Sequence, residues 1–116
     1  MTFGFVNAEL HRQLICILDS TPIQYSPNTG GTLTVSGFHE EAFDAAIDLV
    51  RQLRFPFWSS FRPLDPARYE DYVSYMRGHK IDFEEEIHGD MKERRWFLVA
   101  SGTSHYDWGI EEWKRL

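Results

Sequence analysis

The sequence predicts an α+β fold: one antiparallel sheet of four to five strands with three to four helices packed on it, as a single domain over residues 1–116. Three observations carry this prediction. Stretches with apolar residues three and four apart, which read as helices, are interleaved with short stretches of two-residue alternation, which read as strands. Proline and glycine punctuate the boundaries between them. The chain is 42 % hydrophobic and 16 % aromatic over 116 residues, enough apolar material for one packed core.

The first helix is predicted in "NAELHRQLICILDSTP", with Asn7 as N-cap, Leu10, Leu14, Ile17 and Leu18 at helical spacing, and Pro22 as the end. "IQYSPNTGGTLTVSG" reads as a hairpin whose turn is "PNTGG", since glycine takes positive φ at little cost. "FHEEAFDAAIDLVRQLRF" is the clearest helix, with Ala42, Phe43, Ala46, Ile47, Val50 and Leu53 as its apolar stripe. Its acids (Glu40, Glu41, Asp44) lie near the start and Arg51 and Arg54 near the end, which suits the helix dipole. "PFWSSFRPL" reads as a short strand or an irregular connection between Pro56 and Pro63. "DPARYEDYVSYMRGH" is a helix capped by Asp65, with Pro66 in its first turn, a buried side of Tyr69, Tyr72, Val73 and Met76, and Gly78 as its stop.

Two strands follow. In "KIDFEEEIHGD", Ile81, Phe83, Glu85 and Ile87 share one face, and Asp82, Glu84, Glu86 and His88 share the other. "RRWFLVAS" is a fuller apolar run, as expected of a central strand. "YDWGIEEWKRL" reads as a short C-terminal helix weakened by Gly109. Cys16, the single cysteine, can form neither an intramolecular disulfide nor a cysteine metal cluster, and its place in an apolar run predicts a buried small hydrophobe.

Net charge is −6 with a pI near 5.3, and each half of the chain contributes −3, so there is no charged tail. Direct binding to nucleic acid is disfavoured, because phosphate contacts need clustered Lys and Arg. A basic protein partner suits the charge. The N-terminus lacks signal-peptide character and the apolar runs are far too short to span a bilayer, so a cytoplasmic protein without a membrane partner is expected. Nothing in the residues points to an oligomeric state.

The row Asp82, Glu84, Glu86 and His88 is the strongest candidate feature. It reads either as a solvated strand face whose charges discourage edge-to-edge aggregation, with Arg94 and Arg95 pairing across the sheet, or as a docking face for a partner's Lys and Arg. Glu86 and His88 are close enough in sequence to touch one cation, but none of the five histidines has the spacing of a zinc motif, and no metal or cofactor is expected. Glu84, Glu86, His88 and His105 are candidates for acid–base work without a pattern that brings them together, and "SGTSHYD" reads as a polar loop in which Asp107 caps a helix. "SPNTGGTL" lacks the lysine and helix start of a phosphate loop. Aromatics crowd at Phe55, Phe57, Trp58 and Phe61 and again at Tyr106, Trp108 and Trp113; most should be core, with Trp58 and Trp108 as candidate interface anchors.

In size, acidity and lack of a catalytic signature the chain is similar to bacterial immunity proteins and small phage-encoded inhibitors. Those classes are defined by role, and the likeness carries over no residues. The expectation is therefore a small acidic, non-enzymatic protein that neutralises a basic partner such as a toxin nuclease domain, through Asp82, Glu84, Glu86, His88, Trp58 and Trp108. The alternative is a small enzyme or ligand-binding domain with a pocket between sheet and helices.

Overall fold

The computed structural model describes residues 1–63, 65–89 and 95–101. Their elements run β1 (Thr2–Phe5), α1 (Ala8–Asp19), β2 (Tyr25–Pro27), β3 (Leu33–Val35), α2 (Glu40–Arg54), β4 (Trp58–Phe61), α3 (Tyr69–Gly78), β5 (Phe83–His88) and β6 (Arg95–Ala100). The fold is α+β, as predicted, but the described residues form six strands and three α-helices. The strands make one sheet in the order β2-β3-β1-β5-β6-β4, with antiparallel pairing throughout.

The unpredicted strand is β1, whose four residues are too few to show a period. Phe3 and Phe5 alternate inward and pack edge-to-face, with ring centroids 4.9 Å apart. Between them Gly4 meets the turn of the β2–β3 hairpin: a Cβ there would lie 2.2 Å from the Gly31 carbonyl oxygen. That turn is built as expected, with Gly30 at φ 99° and Gly31 at φ 85°. The Pro56–Pro63 stretch resolves as β4, paired with β6 (Phe61 opposite Phe97).

The helices divide between the two faces of the sheet. On one side α1 and α2 enclose Phe3, Phe5, Leu33, Val35 and Leu98 with Leu14, Leu18, Phe43 and Ile47. On the other, Tyr69, Tyr72, Val73 and Met76 of α3 pack on Phe61, Phe97 and Val99, with Tyr69 stacked on Phe97 at 4.5 Å. Buried alternation in "FLV" of β6 follows directly: Phe97 and Val99 face α3, and Leu98 faces α1 and α2.

The caps match the sequence. Asn7 Oδ1 accepts from the backbone N–H groups of Glu9 and Leu10, and Asp65 Oδ1 accepts from Ala67 N–H above a 3₁₀ turn that leads into α3. Gly78 is the last residue of α3, but the left-handed residue that turns the chain away is Lys80, at φ 55°. Three apolar predictions fail. Ala42 is exposed and Leu53 is 64 % exposed, because both lie at one edge of the α2 stripe, off the side that carries Phe43, Ile47 and Val50. Cys16 is exposed, because it lies on the side of α1 away from Leu14 and Leu18. The C-terminal helix and the "SGTSHYD" loop beyond Ser101 lie outside the described residues.

Candidate functional site

The carboxylates of β5 project from both faces of the strand. Both faces are covered at this part of the sheet, by α2 on one side and α3 on the other. The expected solvent-facing row therefore does not exist as such. Alternation does put Glu84, Glu86 and His88 on one side, but α2 packs over that side and brings its own cations to the strand.

Glu86 is 0 % exposed. Arg51 of α2 holds it in a fork, Nε to Oε2 at 2.8 Å and Nη2 to Oε1 at 2.7 Å, and its Nη1 reaches Asp48 at 2.9 Å. His88 Nε2 lies 2.8 Å from Glu86 Oε1. Burial alone would raise the Glu86 pKa, but the hydrogen bonds from His88 and Arg51 outweigh it and hold the carboxyl below its ordinary value. The group is thus ionised and can only accept, so His88 donates from Nε2. Burial likewise works against the Arg51 charge, and the bonds to Glu86 and Asp48 prevail. The guanidinium also lies over the rings of Trp58 (4.6 Å) and Phe3 (5.6 Å).

One helical turn further on, Arg54 bonds Asp82 at 2.7 Å and lies 3.7 Å from Glu84. Glu84 accepts from Asn7 Nδ2 at 3.0 Å, so the residue that caps α1 also ties it to β5. On the opposite face Glu85 accepts from the Tyr69 hydroxyl of α3. Burial first, and this bond second, push the Tyr69 phenol pKa upward. Arg95, expected to pair with the strand acids, instead lies opposite Ile87 with its guanidinium 5.5 Å from the Tyr69 ring, and among the described residues its buried Nε has no hydrogen-bond partner.

Of the residues predicted to meet a partner, Asp82 remains largely exposed and His88 part-exposed, Glu84 and Glu86 are occupied within the fold, and Trp58 is half-buried under Arg51. Trp108 lies outside the described residues. The structure brings His88 together with a residue the sequence did not single out. Its ring stacks flat on Trp96 at 4.6 Å and 8°, and both line a hollow of about 620 Å³ with Glu40, Arg62 and Thr2.

The freest acids lie elsewhere. Glu40, Glu41 and Asp44 in the first turns of α2 have no ion-pair partner among the described residues. Burial, followed by the neighbouring Glu40 and Asp48 charges, raises the Asp44 pKa. Just before them stands Phe38, 97 % exposed. The sequence signal was present, an aromatic placed immediately outside a helix stripe, but nothing in it says that no neighbour covers the ring. Among the described residues there is no group of three His, Cys, Asp or Glu able to hold a metal ion, and no helix is long and apolar enough to cross a membrane. The chain matches no family model, no curated protein and no solved structure to which it was compared.

Proposed function

We propose that this chain is a small acidic protein-binding domain that neutralises a basic partner, such as a toxin nuclease domain, and that the start of α2 rather than β5 meets it. One observation supports the reading: Glu40, Glu41 and Asp44 make no ion pair among the described residues and follow an almost fully exposed Phe38. An exposed aromatic supplies the anchor of an interface, and unpaired charge around it supplies steering and specificity. The overall charge of −6 favours encounter with a basic surface. Asp82 lies at the other end of α2, where Arg54 already holds it.

The test is capture of basic proteins on the immobilised chain at low and high salt, with Phe38→Ala and Glu41→Lys/Asp44→Lys forms alongside. A basic protein held at low salt by the native chain alone is the expected result. Equal retention by all three forms would remove this surface from the reading.

A second reading, a ligand-binding domain with a pocket between sheet and helices, is favoured by a separate observation, the placement of His88 and Trp96 together in one hollow.

A further inference from the structure

The hollow lies at the end of the sheet where β1 and β6 begin and β4 and β5 finish, with the first residue of α2 on its rim. At about 620 Å³ it falls within the range of small-ligand sites. Resting on the second reading above, its polar groups define what it would take.

Arg62 is the cationic side chain of the lining. It has no carboxylate partner among the described residues, and its guanidinium lies 5.8 Å from the centre of the Trp96 ring. Every other arginine in the cluster on this side of the sheet is committed: Arg51 to Glu86 and Asp48, Arg54 to Asp82 and Glu84. A planar guanidinium resting on an indole keeps its fork of N–H groups available for a two-oxygen acceptor. His88 shapes the hollow with its ring. Its Nε2–H is given to Glu86, which is itself fixed by Arg51, so the ring cannot turn freely, and in that tautomer Nδ1 accepts and is no donor to an oxyanion. Trp96 supplies an apolar wall shared by both. Glu40 opposes this set with a negative charge on the α2 side of the rim.

We propose that this hollow binds a small oxyanion, a carboxylate or a phosphate, with Arg62 as its charged contact and the stacked rings of Trp96 and His88, the latter held in place by Glu86, as the wall behind it. The chemistry is binding alone, without bond-making; the hollow shares Glu40 with the α2 surface, while Phe38 and Glu41 do not line it.

The experiment is a titration of the ¹⁵N-labelled chain with sodium benzoate and, separately, inorganic phosphate at constant ionic strength. The Gly89 amide and the Trp96 indole N–H are the reporters. Saturable shifts there with either anion are expected, and the better of the two identifies the ligand's source. Arg62→Gln should weaken binding at least about tenfold, Arg62→Lys less, because lysine keeps the charge and loses the fork. Glu40→Gln should tighten binding by removing the opposing charge. Glu41→Lys and Phe38→Ala, neither in the lining, should leave the shifts in place, which separates this site from the protein-binding surface. Absence of saturable shifts with both anions overturns the reading of the hollow as a ligand site. Saturable binding that Arg62→Gln leaves unchanged overturns the assignment of Arg62.

Discussion

Two groups of carboxylates in this molecule look alike in sequence and have opposite fates. Glu84, Glu85 and Glu86 on β5 are each bonded by a neighbouring element: Asn7 and Arg54, Tyr69, and Arg51 with His88. Glu40, Glu41 and Asp44 on α2 make no ion pair among the described residues, although the Arg51 and His88 charges offset part of the Asp44 shift. The difference lies in what covers them. A strand inside a sheet with helices on both faces must satisfy its polar side chains within the protein, because an unpaired buried charge is too costly. The outer side of a surface helix has no such requirement. Carboxylates crowded on a strand are therefore an argument about architecture first, and the acids available to a partner are those the architecture leaves alone.

The comparison breaks most severely at Glu86. Replacing it with alanine leaves Arg51 buried without its main partner and frees His88, and should cost about 3–5 kcal/mol, read as a lowered urea midpoint. Leucine at 86 together with methionine at 51 should recover much of that loss, because the pair's desolvation cost goes with it. The native cluster also sets a pH dependence. The Glu86 pKa is lowered on folding, so its contribution is fully present above the ordinary glutamate range and is lost as pH falls through the lowered value. The Glu86→Gln form should lack that component of acid sensitivity in urea melts at a series of pH values.

Smaller effects are expected outward from this centre. Tyr69→Phe removes the bond to Glu85 while keeping the stack on Phe97, and should cost about 1–2 kcal/mol in the same measurement. Asp82→Asn breaks an ion pair whose carboxylate is 72 % exposed, and should change stability by less than about 1 kcal/mol, less still at high salt.

Much of the fold was legible because helices announce themselves over many residues. The α2 stripe and the Asp65-Pro66 start of α3 needed no tertiary information. β1 was not legible, since "TFGF" is too short to show a period and earns its place through pairing with β3 and β5. The candidate site was legible in part. Alternation placed Glu84, Glu86 and His88 on one face, but period alone cannot say whether water or a helix lies above that face. A signal did exist. Arg51 and Arg54, one turn apart, rise about 4.5 Å along a helix, and Glu86 and Glu84 are about 6.6 Å apart along a strand. Two cations and two anions at separations that differ by about 2 Å fit an antiparallel helix-on-strand pairing, because the long arginine side chains absorb the difference. The role of Trp96 was hidden for a similar reason: its partners His88 and Arg62 come from two other strands' ends.

The smallest predicted effect is also the one that separates the two groups by sign. Asp44 lies beyond the first turn of α2, where the helix dipole has mostly faded, and its pKa is raised by burial and by Glu40 and Asp48. A raised carboxyl pKa means that ionising the group costs the folded state something. The penalty is absent below the ordinary aspartate range, grows as pH rises through the folded value, and is complete at neutral pH. Asp44→Asn keeps the shape and a similar helix propensity and removes the charge. It should therefore stabilise the protein at neutral pH, by less than about 1 kcal/mol since the site is largely open to solvent, and the gain should vanish in acid. Loss of an acid from β5 weakens the fold; loss of this acid strengthens it. An aspartate held against the stability of its own helix is one that folding does not require, and a basic partner that compensates its charge gives it a use. A melt showing Asp44→Asn to be destabilising at neutral pH would place Asp44 with the structural acids and take away the distinction on which the α2 surface rests.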